Sequence, residues 1–311
     1  MNLYYDRVCR ITIENQKKIV IEDCKMTFEI TKSSVAKENT AKVEIYNLSA
    51  ITRKLITEEE SLVRVSAGYA RNKGLIEIGQ GDISKIKTNR NKTEVVTEIY
   101  LAEGLKRIKT NPVSLSYAKN VKLSDILSGI TAQTGFTFKQ IDADTAKSIQ
   151  NGYADIGSVD TVLDNLSTKY NFTWSVQNGI ITIKGNKNSI TSEIMLLSPS
   201  SGLILHPESV KKISKKLEKS KVAKEEKGRM SIQSLLQPQL QIHDIIAVES
   251  QDLKGKFRIE KITHVGDTRG NDWYSNMEVV PLNYNSSVAQ AEDSLNTSQQ
   301  LVGMLNPTSF W

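Results

Sequence analysis

The chain has 311 residues, enough for two or three domains with separate cores. Its apolar fraction of 39% and charged fraction of 24% are ordinary for a soluble globular protein, and no window approaches 18 uncharged apolar residues, which excludes a membrane-spanning helix. The net charge of +6 belongs to one segment. Residues 208–229 hold nine Lys/Arg against four Asp/Glu, leaving 32 basic and 31 acidic residues elsewhere of the 41 and 35 in the chain, so a basic groove spread over a folded domain is excluded.

The start, MNLYYDRVCRITIENQ, has charges where an apolar h-region should stand, so no secretory signal is expected. Cys9 and Cys24 are too few for a disulfide framework; free thiols are expected, with pairing across an early hairpin as the alternative. Residues 1–106 read mainly as strand: RVCRITI, KIVIE, KMTFEIT, AKVEIYN, LVRVSAGY, LIEIGQGDISKIK and TEVVTEIYLA alternate or carry β-branched runs. Asn72-Lys73-Gly74 predicts a tight turn between two of them. Within this part, TAKVEIYNLSAITRKLI changes period. Ala41, Val43 and Ile45 alternate, then Leu48, Ile51, Leu55 and Ile56 take helical spacing, with Ser49 as N-cap. Strands with such short links predict a sandwich or barrel, and the short helix plugs its end or lies on its surface.

Residues 107–192 read as a small α+β domain. VKLSDILSGITAQTG places Leu123, Ile126, Leu127 and Ile130 on one helix face, with Ser124 as N-cap and Gly135 as stop. GSVDTVLDNLSTKY repeats the idea with Ser158 as cap and Val159, Val162, Leu163 and Leu166 as its stripe. Each helix leads through a Phe, Phe136 or Phe172, into a strand, and Asn178-Gly179 predicts a hairpin.

Residues 193–284 return to strand in EIMLLS, RMSIQS, HDIIAVES, KFRIEKITHVG and DWYSNMEVV, interrupted by the basic insert 208–229 with Lys211, Lys212, Lys215, Lys216 and Lys219. The insert has too few apolar positions for a core and is expected to be an exposed loop or marginal helix. Residues 285–311 are expected to form an extended tail ending in an apolar group that includes Leu301, Leu305, Phe310 and Trp311. LVRVSAGYARNKGLIEIGQGDIS in the first part parallels IIAVESQDLKGKFRIEKITHVGD in the third, each a strand, a Lys-Gly turn, a long strand and a Gly-Asp. That parallel suggests two related barrels.

Signs of chemistry are few. His206, His243 and His264 are too dispersed for a local metal motif, and His264 reads as a structural histidine within a strand. Asp142 and Asp144 precede a helix-like stretch, which makes them caps before metal ligands. Gly79-Gln80-Gly81 is followed by strand, against a dinucleotide site, and no nucleophile motif occurs. Trp273-Tyr274 in GDTRGNDWYSNMEV fits core aromatics of a strand.

Four strings in order, AKVEIYNLSAITRKLI, VSAGYARNKGLIEIGQGDI, SLLQPQLQIHDIIAVES and GKFRIEKITHVGDTRGNDWYSNMEV, resemble the baseplate hub proteins of contractile-tailed bacteriophages. The likeness covers Ala41 to Ile86 and Met230 to Leu282, and the middle fits by architecture. The resemblance implies a mainly β chain with two tail-tube-like β-barrel domains flanking the α+β domain. It implies a non-enzymatic virion protein without cofactor, assembled in the host bacterial cytoplasm. The hub would be a homotrimer joining the sixfold tail tube to the threefold central spike, in contact with other baseplate proteins and without a membrane anchor. Genomic DNA would pass through its lumen without specific binding. The helix with Ser49, Thr52 and Arg53 would meet ring neighbours or the tube, and Leu301, Leu305, Phe310 and Trp311 would dock on the spike. The alternative is a spike-associated protein that binds or degrades the cell wall. A secretion-system spike base is a third reading, and the lack of a C-terminal β-helix repeat speaks against it.

Overall fold

The computed structural model describes residues 4, 6–14, 18–34, 39–56, 61–91, 93–102, 108, 112–141, 143–177, 180–185, 194–209, 229–251 and 253–282. All seven strands expected in the first part are present: β1 Arg7–Glu14, β2 Lys18–Ile21, β3 Met26–Ser33, β4 Thr40–Tyr46, β5 Leu62–Tyr69, β6 Gly74–Asn91 and β7 Glu94–Ala102, with helix α1 Ala50–Ile56 between β4 and β5. Alternation is the cause. In β5 the side chains of Val63, Val65 and Ala67 are buried, and Arg64 and Ser66 lie on the other side. The β5–β6 turn expected from sequence has Gly74 at φ 66°, and Lys73 joins it in the left-handed region at φ 55°.

The middle contains β8 Pro112–Tyr117, β9 Val121–Lys122, α2 Leu123–Thr134, β10 Thr137–Ile141, β11 Ser148–Ile149, β12 Tyr153–Ser158, α3 Val159–Tyr170, β13 Thr173–Gln177 and β14 Ile180–Lys184. Its repeat is real in space. Helix α2 ends on Gly135 at φ 73° and α3 on Asn171 at φ 59°, and Phe136 and Phe172 beyond these left-handed caps are buried in one core with the apolar stripes of both helices. Strands β13 and β14 pair with Gln177 opposite Ile180. Ser124 is not the cap of α2. The helix starts at Leu123 because the Asp125 carboxylate accepts the Lys122 N–H at 3.4 Å and fixes the first turn there. Ser158 does stand at the N-cap of α3, with its hydroxyl on Thr161 Oγ1 at 2.9 Å. Asp144 caps nothing: a turn and β11 follow it, while Asp142 lies outside the described residues.

The third part supplies β15 Met195–Leu197, a 3-10 turn Pro199–Ser201, β16 Leu203–Ser209, β17 Met230–Leu235, β18 Ile245–Glu249, β19 Lys254–Asp267 and β20 Trp273–Pro281. Its strands and those of the first part form no closed barrel among the described residues. They lie in one open 13-stranded sheet, ordered β16-β17-β20-β19-β3-β4-β7-β6-β5-β1-β2, with β18 on β19 and β15 on β18. The kinship of the two parts shows in this order. The run β3-β4-β7-β6-β5-β1 matches β16-β17-β20-β19-β18-β15 strand for strand, in the same chain order. Both long strands carry a bulge against the strand that follows, between Ile83 and Lys85 in β6 and between Ile259 and Lys261 in β19. Superposing the bulges equates Lys85-Ile86 with Lys261-Ile262, so the Gly-Asp pairs that looked equivalent in sequence are not. One departure is that β1 is antiparallel to β5 whereas β15 is parallel to β18.

The two units join where β3 pairs antiparallel with β19, from Thr27 opposite Asp267 to Ser33 opposite Lys261. Phe28 stands opposite Gly266, where an added Cβ would lie 2.3 Å from the ring, so only glycine leaves it room. Fully buried Trp273 meets Phe28 edge-on at 5.4 Å and belongs to the first unit's core, although β20 is part of the third. Arg7 lies 5.5 Å from the Trp273 ring and donates to the Gly270 carbonyl at 2.9 Å. The middle part is fastened through Asn39, whose amide donates to the Val176 carbonyl at 2.7 Å, and through Glu260 of β19. That carboxylate lies 2.6 Å from Arg258 and 3.8 Å from Lys184 of β14. Burial pushes the Glu260 carboxyl up, but Lys184 and Arg258 outweigh it and hold the group below the usual carboxylate range.

Candidate assembly interface

The long sheet has one apolar and one polar face. Strand register places Lys85 and Lys87 of β6, Glu98 and Tyr100 of β7, and Lys42 and Glu44 of β4 on the polar side. Thr31 of β3, Lys261 and Thr263 of β19, Asn276 and Glu278 of β20, and Gln233 of β17 continue it. Opposite charges meet along it. Lys42 lies 2.6 Å from Glu44 and 3.6 Å from Glu98, Lys261 is 3.6 Å from Glu278, and Arg229 reaches the same carboxylate at 3.5 Å. Uncharged partners fill the gaps, with Thr31 to Thr263 at 3.0 Å and Gln233 to Asn276 at 2.9 Å. The hydrogen bond from Lys42 lowers the Glu44 carboxyl, and the one from Tyr100 lowers Glu98. Such exposed pairs add little stability. They do cancel the field locally where they meet.

Helix α1 is held at its start. Asn47, at φ 58°, gives its N–H to the Val95 carbonyl at 2.7 Å and accepts the Val95 N–H on Oδ1 at 2.9 Å, stitching the end of β4 to β7. Ser49 is the N-cap expected from sequence: its Oγ accepts the Thr52 N–H at 3.0 Å and meets Thr52 Oγ1 at 2.8 Å. Arg53 folds back onto the Leu48 carbonyl. These three residues therefore share one turn and direct their polar groups to the helix itself. The apolar residues do not form a single buried stripe. Leu48 and Ile56 are buried, whereas Ile51 is 75% exposed and is the side chain that α1 offers outward. Helical spacing located it without telling which side would be covered. Ser49→Ala should cost ~1 kcal/mol and shift the melting temperature by a few degrees in scanning calorimetry.

The remaining candidates are dispersed. Lys211, Lys212, Lys215, Lys216 and Lys219, and likewise Leu301, Leu305, Phe310 and Trp311, lie outside the described residues. Both cysteines are free, Cys9 buried and Cys24 half-buried. Among the described residues no group of three His, Cys, Asp or Glu is placed to hold a metal, and no helix is long and apolar enough to cross a membrane. His264 is structural. Ser275 Oγ accepts the Gln237 N–H at 2.9 Å and hydrogen-bonds His264 Nδ1 at 2.9 Å, and burial keeps the ring neutral.

No protein-family model and no curated protein sequence matches the chain. Solved structures do match it in shape. The 43 kDa tail protein of prophage MuSo2 from Shewanella oneidensis superposes with a TM-score of 0.62 at 11% identity, over 88% of this chain and 98% of that one. A tail protein from Neisseria meningitidis MC58 gives 0.63 at 9%, over 89% and 97%. The E. coli c3393 protein, a type VI secretion component described as similar to the T4 tail proteins gp27 and gp5, gives 0.53 at 12%, over 83% and 73%. The chain shares the fold of phage tail proteins.

Proposed function

We propose that this chain is a structural virion protein, the baseplate hub of a contractile tail. Three copies form a ring that joins the sixfold tail tube to the threefold central spike and lines the DNA channel. The observation that carries this reading is the duplication: two units of one strand order in a single chain let a threefold ring present six similar units. The fold shared with phage tail proteins supports it. So does the polar sheet face, whose charges are paired one against another, as a channel needs if DNA is to slide without being held. In this reading the two units are the counterparts of tube subunits, residues 107–192 form the α+β part between them, and α1 with Ile51 sits at a contact with the ring or the tube. The basic insert reaches an acidic baseplate neighbour. The protein acts mechanically, without catalysis, and resides in the virion after assembly in the host cytoplasm.

The apolar chain end from Leu301 to Trp311 serves as an anchor for the spike. Truncation after Tyr284 should leave the melting temperature of the isolated protein unchanged while weakening capture of the spike protein in a pull-down. Equal capture would make the tail dispensable. The hub assignment itself is tested by counting copies in purified tails by quantitative mass spectrometry. Three chains per spike trimer are expected, and any other ratio refutes the assignment.

A further inference from the structure

Among the described residues Lys32 is the one buried lysine or arginine, 1% exposed on the core face of β3. Lysine is rarely so deep without a specific partner. Register shows how it came there. Ile30 lies opposite His264 and Lys32 opposite Ile262, and these four buried side chains share the inner face of the β3–β19 joint. From that face the Lys32 ammonium donates to Gln241 Oε1 at 3.4 Å, across a sequence separation of 209 residues. Gln241 is half-buried and lies between β17 and β18 in a turn that pins its backbone. Its N–H donates to Asp244 Oδ2 at 2.8 Å, and its carbonyl accepts the Asp244 N–H at 3.2 Å. Both side chains are therefore held, one by the joint and one by the turn. An amine resting on the oxygen of a carboxamide is one bond away from the acyl carbon it can attack. Between free molecules in water that exchange is very slow. Within one fold, the fixed approach is equivalent to effective molarities of ~10⁵–10⁸ M.

We propose that Lys32 and Gln241 join in an intramolecular amide cross-link that welds β3 of the first unit to the third. The Lys32 Nζ bonds to Gln241 Cδ, the Cδ–Nε2 bond breaks, and Nε2 leaves as ammonia. The proton that the lysine gives up departs with it, as ammonium. Atoms and charge balance without an oxidant, a metal or a second substrate. Two features of the site favour the product. Half-buried Gln241 leaves ammonia a way out to solvent, where dilution makes the step one-way. The new amide is neutral, so the reaction removes a charge from the interior, where charge is costly. The link closes the same joint that Trp273 packs against, and makes the two units one covalent body apart from the main chain. It concerns a single chain and is independent of the ring reading above.

Mass spectrometry of the full-length protein tests it. The intact chain should be lighter than its sequence mass by one ammonia, about 17 Da. Trypsin should fail to cut after Lys32 and should release residues 26–37 joined to residues 230–254 as one branched peptide. Lys32→Met and Gln241→Met chains should lack both signs. Natural protein refolded after isolation in urea should gain the branched peptide with time in mildly alkaline buffer, and protein kept in urea should not. An unchanged mass after days of incubation, with residues 26–32 released as an ordinary peptide, overturns the proposal. Loss of ammonia without the branched peptide also overturns it, since that loss then arises at another side chain. Neither outcome depends on a variant that folds.

Discussion

Replacing Trp273 by alanine should cost ~3–5 kcal/mol of stability, the largest loss expected from any single truncation in this chain. The indole is fully buried, sits against Phe28, and lies beneath the Arg7 guanidinium. It comes from the third part and fills the core of the first, so its loss opens a cavity at the joint between units where a local collapse would have to move β3 and β19 together. Calorimetry should show the melting temperature falling by ~10 °C. The transition should also broaden or split, since the two units lose part of what makes them unfold together. A drop below ~1 kcal/mol with a single sharp transition would show that the joint contributes little to the fold.

Acidification should produce the second large effect. Burial, with Lys32 nearby, pushes the His264 imidazole down to about 3. Burial, then the positive charge of Lys184, pushes His243 down to about 4. In both cases the unfolded chain takes up a proton before the folded one, so stability is full above the ordinary histidine value near 6.5 and falls with pH. For His243 the loss runs from about 6.5 to about 4, and for His264 it continues to about 3. Each pH unit between the ordinary and the folded value is worth ~1.4 kcal/mol, and the two rings together amount to several kcal/mol. Glu260 adds to it lower down: its carboxyl is held below the usual range, so its contribution is present above about 4.5 and disappears as pH falls through the folded value. Urea midpoints measured from pH 7.5 to pH 4 should decline steadily below about 6.5, and His264→Gln should flatten the decline while lowering the plateau. A midpoint that stays constant down to pH 4.5 would contradict the burial of both rings.

Much of the fold was legible because much of it is local. Alternation in LVRVSAGY, the Lys73-Gly74 turn, and the passage from helix through a left-handed cap to Phe136 or Phe172 are decided within a few residues, and all are found. Strand β8 is hard to read from sequence although Val113, Leu115 and Tyr117 alternate, because the serines between them suit a loop equally well. Strand β16 is hidden by Pro207, which interrupts the pattern and which an end strand tolerates. The open sheet was out of reach. Periodicity says which face of MTFEITKS is buried, and nothing in it says that the outer edge of that strand meets residues 261–267. The equivalence of the two long strands depends on the bulges at Ile83/Lys85 and Ile259/Lys261, which shift residues against one another and misalign the Gly-Asp pairs. The assembly surface was half legible: Ser49 is the cap the spacing foretold, and Ile51 emerged as the exposed residue only when Leu48 and Ile56 took the core.

In the proposed hub, one chain supplies two equivalent ring units and three chains close the ring. Electron cryomicroscopy of assembled tails, sectioned through the disc this chain forms, tests it most directly. Six similar lobes should surround an open channel, alternating in detail so that only threefold symmetry is exact, with the paired-charge sheet face towards the lumen. Six lobes contributed by six chains, or a disc that turns the apolar sheet face to the channel, would contradict it.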